Sequence, residues 1–376
     1  MTPHLFNELF VLELANNHWG DIGRGLKIID DFGQVVRANE VHAAVKLQFR
    51  DVDSFIHKHH RHREDVRYIK KVSATRLPWE SLRALVEATR AAGMVTMVTP
   101  FDEISVDRCI EFDVEILKIA SSDIRDWSLI RKIASTGRPV IASTGGSALR
   151  DMDELVGFFA ERDIPFALNH CVSLYPSEDG ELELNQIDFL RARYPQTTIG
   201  FSTHEMTDWR ASIMMAYAKG ARTFERHIDI DYQGVPVSPY CTLPQQADEW
   251  FKAFKRANQM CGAPGTVKRV PPQRETRYLD ELVRGVYAKR DLSSGHVLTN
   301  DDVYLAVPLL QGQLSCREFA GGEVLRHALG KDVPVRLRDV DCDYSNNLVL
   351  QRLVDDRGVP AVGETAVESM KRVAAQ

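Results

Sequence analysis

His204 and His227 each stand at the end of a short apolar run, and the two runs, Thr197–Ser202 and Arg222–His227, follow one another along the chain. Imidazoles closing neighbouring strands can converge on one ion, and neutral imidazole suits Mn, Zn or Fe better than Ca. Two ligands leave an open site with room for water or a substrate carbonyl, an arrangement fit for Lewis-acid catalysis. Taken singly, each histidine would more simply satisfy a buried hydrogen bond; the pairing favours the ion. A second group joins Lys46, Lys118, Ser121, Ser143, Thr144 and Ser202 to the small loop Thr144-Gly145-Gly146. Two cations, several hydroxyls and accessible backbone amides make a cradle for phosphate or carboxylate. Lys118 interrupts the apolar run Ile116–Ala120, where an unpaired ammonium is costly, so a solvated surface charge explains it badly. A Schiff-base lysine would sit in the same kind of place, and that reading stays open beside the cradle. His57, His59, His60 and His62 also crowd together, but the interleaved Lys58, Arg61 and Arg63 would repel a cation. The stretch His57–Lys71 reads instead as a mobile loop over the site.

These side chains need a scaffold that gathers the ends of many strands. Eight apolar runs serve as candidate strands: Phe10–Ala15, Ala43–Phe49, Met94–Pro100, Ile116–Ala120, Pro139–Thr144, Pro165–Cys171, Thr197–Ser202 and Arg222–His227. Several are apolar on both faces, as strands buried beneath helices are. Helical spacing appears between them, as in Leu82, Leu85, Val86 and Ala92, or Leu155, Val156 and Phe159. Eight such units predict an α/β fold, a (β/α)8 TIM barrel, and the first strand lacks the GxGxxG turn of a doubly wound dinucleotide-binding sheet. In a barrel the functional residues sit where strands end. That rule selects Glu13, Asn16, Asn17 and His18 after the first strand and Lys46 and Gln48 on the second. It adds Thr99, Phe101 and Asp102, then Lys118, Ser121 and Asp123, then Ser143 and Thr144. His170, Ser173 and Tyr175 follow, then Ser202 and His204, then Glu225 and His227.

Composition bounds the rest. The 376 residues carry 47 Lys+Arg against 53 Asp+Glu, a net charge of −6, which argues against a nucleic-acid-coating protein. No run approaches the ~20 apolar residues of a membrane span, and Met1–Phe10 lacks the order of a secretory signal. Six cysteines without CxxC spacing suggest neither a disulfide framework nor a zinc ribbon. A cytoplasmic protein is expected. The barrel should occupy residues 1–262. Residues 263–281, with Pro264, Gly265, Pro271 and Pro272, read as a linker. Residues 282–343 read as a small β-rich domain, and 344–376 as a tail.

Together these residues resemble the sialic acid synthase family, which condenses phosphoenolpyruvate with N-acyl-mannosamine-type sugars. The likeness is carried by Glu13-Leu14-Ala15-Asn16-Asn17-His18, Val45-Lys46-Leu47-Gln48, Thr99-Pro100-Phe101-Asp102 and Leu117-Lys118-Ile119-Ala120-Ser121. It continues in Ser143-Thr144-Gly145, His170-Cys171, Tyr175-Pro176, Gly200-Phe201-Ser202 and Glu225-Arg226-His227. Ala288-Lys289-Arg290-Asp291, Gly295 and Leu298-Thr299 look like the opening of that family's C-terminal antifreeze-like (SAF) domain. The resemblance implies that Lys46, Thr99, Lys118, Ser121, Ser143 and Ser202 hold phosphoenolpyruvate, with Phe101, Asp123, Ser173 and Glu225 in the same substrate site. It implies that His204 and His227 bind a divalent metal, Mn or Mg, and that Glu13 activates or positions water. Gln48 and Tyr175 would face the sugar, an aldose or amino sugar. It also implies a domain-swapped homodimer in which each antifreeze-like domain caps the partner's barrel, with no nucleic acid or membrane partner.

The departures concentrate on the sugar side. Thr203 stands where the family usually has Asp before the histidine, and Asp123 where many members have Glu. Val235-Pro236-Val237-Ser238 replaces an acidic Pro-Gly-Pro-Asp loop, Ser173 replaces an Asn, and Val307 stands in place of an arginine expected to meet the N-acetyl group. The reaction type is therefore expected to persist with an acceptor altered from N-acetylmannosamine. A non-catalytic carbohydrate-binding homologue is the alternative from outside enzymology.

Overall fold

The computed structural model describes residues 5–263 and 265–360. The chain divides into two compact units, one ending at Gly262 and the other beginning at Ala263. In the first unit the elements alternate: β1 (Leu9–Ala15), α1 (Ile22–Asn39), β2 (Ala43–Phe49), α2 (Val52–Phe55), α3 (Arg67–Ala74), α4 (Trp79–Ala91), β3 (Val95–Pro100), α5 (Glu103–Glu111) and β4 (Ile116–Ile119). Then come α6 (Trp127–Ala134), β5 (Val140–Ser143), α7 (Leu149–Ala160), β6 (Phe166–Cys171), α8 (Asn185–Arg193), β7 (Thr198–Thr203), α9 (Trp209–Ala218), β8 (Thr223–His227) and α10 (Pro244–Cys261). All eight strands pair in parallel with their sequence neighbours, and β8 pairs with β1 to close the barrel. The TIM-barrel expectation holds, with strand bounds within a residue or two of those read from the apolar runs.

Alternation of side chains along each strand explains how one sheet serves two purposes. Outward residues such as Phe10, Leu12 and Leu14 join the shell beneath the helices, where Phe10 meets Trp250, Phe251 and Phe254 edge-on at 4.8–5.0 Å between ring centroids. Inward residues at the strand starts are apolar and pack together: Leu9, Val11, Ala44, Met97, Ile116, Ile141 and Ala167. Two residues further along, the same inward positions become Glu13, Lys46, Thr99, Lys118, Ser143 and Asn169. The barrel interior thus changes from an apolar plug to a polar floor along the strands. Gly200 permits this layer, because a Cβ there would stand 1.8 Å from Thr223 Oγ1 and 2.2 Å from Asn169 Oδ1, two atoms already hydrogen-bonded at 2.6 Å.

The segment expected as a mobile loop is in part helical. Turns run through 57–66, and α3 follows at Arg67–Ala74 with Val72 buried. The four histidines 57, 59, 60 and 62 are exposed.

The second unit is built from α11 (Gln273–Asp280), β9 (Gly285–Ala288), β10 (Val303–Ala306), β11 (Val324–Leu325), β12 (Val340–Asp341) and α12 (Leu348–Asp356). Two small antiparallel sheets, β9–β10 and β11–β12, enclose Val286, Leu298, Leu314, Val335 and Val340. Two expectations need correction. The stretch read as linker contains α11, its start set by Pro272 just before the first helical turn; Pro264 lies outside the described residues. The stretch read as tail contains α12, capped by Asn347, whose Val354 is fully buried in the core of this unit. Beyond it Arg357 pairs with Glu318, both almost entirely buried. The remainder of that tail, 361–376, lies outside the described residues. Among the described residues no helix is long and apolar enough to cross a membrane.

Candidate active site

Four charged side chains meet on the polar floor. Lys46 forms ion pairs with Glu13 and with Glu225, the latter at 2.8 Å, and Lys118 stands 3.7 Å from the same Glu225 oxygen. Strand register brings them together, because Glu13 pairs with Lys46 across β1–β2 and Ser202 with Glu225 across β7–β8. Glu225 also accepts from Ser202 at 3.0 Å, and Lys118 donates to Ser143 at 2.6 Å. Burial would raise the Glu225 carboxyl, but the two ammonium groups and Ser202 outweigh it and hold the acid well below its usual range. Burial pushes Lys46 down to about 8, with Lys118 adding to the fall and Glu225 opposing it. Lys118 is thus paired rather than isolated in apolar surroundings.

A second edge of the mouth is aromatic. The rings of His204 and His227 lie 5.4 Å apart between centroids, with Tyr175 at 3.9 Å from His204 and Tyr240 at 5.2 Å from His227. Burial keeps both imidazoles neutral, lowering His204 to about 4 and holding His227 well below its ordinary range, the latter helped by His204 and Lys46. His204 Nδ1 lies 3.0 Å from the Val172 carbonyl; if this nitrogen carries the proton, Nε2 is left as the lone-pair nitrogen. Among the described residues no group of three His, Cys, Asp or Glu side chains is placed to hold one ion. The donor chemistry fits an open site with two protein ligands, and only that.

The third edge is a hydroxyl cradle. Gly145 N–H donates to Ser121 Oγ at 3.0 Å, and a Cβ on Gly145 would fall 2.0 Å from Ser173 Oγ. Ser121, Gly145 and Ser173 are therefore packed against one another, which the absence of a side chain at Gly145 allows. Thr144 donates no cradle contact of its own; its hydroxyl accepts from Cys171 N–H at 3.2 Å. Thr99, paired in register with Gln48, has a buried hydroxyl without a partner among the described residues.

At the rim, Gln48 donates to Glu13 at 3.0 Å and accepts from Arg50 at 3.0 Å. Phe101 carries the Arg50 guanidinium over its ring at 3.6 Å. Asp123 follows β4 on a 3₁₀ turn, and burial raises its carboxyl to about 6 against the pull of Ser122, Arg50 and Lys118. Asn17 and His18 make their hydrogen bonds outside this cluster. Asn17 donates to the Ile228 carbonyl at 2.7 Å, and His18 Nδ1 accepts from Gly20 N–H at 3.0 Å, its burial lowering it to about 4. His170 contacts the Leu182 carbonyl at 2.7 Å, a structural role.

Several residues here carry no signal in the sequence reading. Arg50, Tyr68 and Tyr240 lie in charged or Pro- and Ser-rich stretches, where exposure is the ordinary expectation. Glu205 and Arg226 form a buried pair at 2.7 Å, with Thr203 and Ser212 also donating to Glu205. That network gives Thr203 a partner of its own beside the histidine.

The chain matches the NeuB family over residues 35–264. It belongs to that family. The sialic acid synthase resemblance of its motifs is thereby shown, and the relatives agree with it. A crystallised Chromobacterium violaceum protein assigned to spore coat polysaccharide biosynthesis as protein E superposes with a TM-score of 0.85 at 36% identity, covering 89% of this chain and 100% of that one. The Bacillus subtilis spore coat polysaccharide biosynthesis protein SpsE is 30% identical, over 79% of this chain and 83% of its own. N-acetylneuraminic acid synthetase from Leptospira borgpetersenii, crystallised with citrate, gives a TM-score of 0.64 at 26% identity, covering 73% of this chain and 91% of that one. This NeuB-family chain is accordingly an enzyme of the sugar-acid synthase group.

Proposed function

We propose that this protein is a metal-dependent synthase that condenses phosphoenolpyruvate with an aldose or amino sugar, giving a 2-keto-3-deoxy sugar acid and phosphate. The observation that carries the reading is the convergence of Lys46 and Lys118 on Glu225, beside the serine cradle and within the same mouth as the histidine pair. Lys46, Lys118, Thr99, Ser121, Ser143 and Ser202 supply donors for the phosphate and carboxylate, and the unpartnered Thr99 hydroxyl is one left for a ligand. Glu13, held between Lys46 and Gln48, takes the water proton as oxygen adds to C2 of phosphoenolpyruvate. C3 forms the new bond to the sugar aldehyde, whose oxygen takes up one proton, and the C2 hydroxyl gives up its own to the departing phosphate as the C2–O bond breaks, leaving the 2-keto group and inorganic phosphate. His204 and His227 would hold a Mn or Mg ion, which when bound supplies Lewis acidity at the aldehyde oxygen.

Charge balance supports the ion. The two lysines are already matched by Glu13 and Glu225, so a polyanionic substrate entering alone would leave the floor strongly negative. A divalent cation offsets that excess.

The second unit, with its paired small sheets, is proposed as the antifreeze-like domain, acting across a homodimer. Val307 is 58% exposed, and the family resemblance implies that it stands where an arginine would meet an N-acetyl group. V307R is expected to raise activity on N-acetylmannosamine several-fold, measured as phosphate release; no change would remove that assignment.

The deciding experiment measures phosphate release from phosphoenolpyruvate with Mn against aldoses, amino sugars and their 6-phosphates, with product masses and EDTA controls. Metal-dependent release with the mass of acceptor plus pyruvate supports the synthase. Borohydride trapping of pyruvate on Lys118 would instead favour a Schiff-base aldolase, and sugar binding without turnover a carbohydrate-binding homologue.

A further inference from the structure

Arg50 is the first residue after β2, and it shares a face with Lys46 and Gln48 because alternate residues of a strand point the same way. Its guanidinium is fixed on several sides. Nε donates to the Tyr68 hydroxyl at 3.0 Å, Nη2 donates to Gln48 Oε1 at 3.0 Å, and the plane lies over Phe101 at 3.6 Å. Phe55 packs against both aromatic partners, 6.3 Å from Tyr68 and 6.5 Å from Phe101 between centroids. The backbone is pinned as well, by Asp51 N–H donating to Asp102 at 2.8 Å. Among the described residues no carboxylate lies within 4.0 Å of this guanidinium, so neutral hydrogen bonds and stacking hold it directly, while the charges of Asp123 and Asp102 act on it from farther off. An arginine so anchored is an unusually rigid donor, since its planar fork loses little further freedom on bonding.

What that donor holds is Gln48. An arginine can only donate and an ionised carboxylate can only accept, so the amide between them has one orientation that satisfies both. Its oxygen faces Arg50, and its NH2 group faces Glu13. Glu13 is then gripped on one oxygen by Gln48 and on the other by Lys46.

We infer that Arg50 is a positioning residue for this reaction: anchored by Tyr68 and Phe101, it fixes the Gln48 amide and through it the Glu13 carboxylate. The inference rests on the synthase reading for what Glu13 does, but the relay itself is a matter of geometry. It also gives α3 a use, because Tyr68 makes that helix a strut for the catalytic end of β2. Displacing a reacting group by about 1 Å can cost on the order of a hundredfold in rate, so a loosened relay is expected to register in turnover.

The test is a double-mutant cycle with a structural arm. Arg50→Met keeps the apolar stem over Phe101 and removes both donors. It is expected to lower kcat about tenfold and raise the acceptor KM, while the phosphoenolpyruvate KM stays within about twofold, because Lys46 and Lys118 are untouched. In a Gln48→Leu background the same change should cost less than about twofold, since the relay is already cut. Full additivity of the two substitutions would overturn the inference. Tyr68→Phe, which removes one anchoring bond, should move the same parameters in the same direction by a smaller factor. The crystal structure of Arg50→Met decides the geometry whether or not an acceptor has been found: Gln48 should leave its contact with Glu13 or take several rotamers. Gln48 and Glu13 unmoved in that structure would also overturn the proposal, without bearing on the synthase reading.

Discussion

Asp123 shows how a single side chain can set activity against stability. Its carboxyl is raised by burial to about 6, against an ordinary value near 3.8 in the unfolded chain. A raised acid binds its proton more tightly when folded, so the native state is penalised above about pH 6 and relieved as pH falls toward 4. Asp123→Asn removes the charge that burial opposes. It should stabilise the protein at pH 7.5 by about 1–3 kcal/mol, with the difference fading near pH 4, as chemical denaturation at the two pH values would reveal. If Asp123 faces the acceptor, the same variant should lose turnover. Lys46 and Lys118 are legible in the sequence because an ammonium inside an apolar strand demands an explanation. Arg50 and Tyr240 are not, because a cation or a tyrosine in a polar loop demands none. Only the fold turns those loops inward over the mouth.

Among elements, the closure between α1 and the segment after β8 depends on Arg24. This arginine, 2% exposed, spends its donors on the Asn17, Tyr232 and Ile230 carbonyls and on Asp229 at 2.6 Å. Arg24→Met would leave the Asp229 carboxylate buried without its cation. We expect a loss of about 3–5 kcal/mol in urea unfolding, and partial recovery when Asp229→Asn is added. The strands were readable because several are apolar on both faces and helical spacing separates them, a pattern that calls for a parallel arrangement. Helix α11 was hidden by its flanks, since Pro271, Pro272 and a dense run of charges have the composition of a linker. Helix α3 was hidden similarly, with only Val72 buried among its eight residues.

For the whole molecule, the second unit ends later than its β-rich composition suggests. Val354 completes its core and Arg357 neutralises Glu318. A chain ending at Asp343 loses both, and buried Glu318 is left without its cation. Limited proteolysis should then cut within 285–342 at concentrations of protease that leave the full chain intact, while the barrel's bands persist.

The matched charges on the barrel floor have a thermodynamic consequence. If neither phosphoenolpyruvate nor a divalent ion can enter without disturbing that balance, each is the other's best effector. Coupling of this kind is reciprocal: whatever factor Mn adds to phosphoenolpyruvate affinity, phosphoenolpyruvate must add to Mn affinity. Calorimetric titrations of each ligand with and without the other should give one common factor above tenfold, and a factor near one would mean that the two sites do not sense each other. On the proposed reaction, such a floor would make the enzyme a coincidence detector, nearly indifferent to either ligand alone and committed only when both arrive.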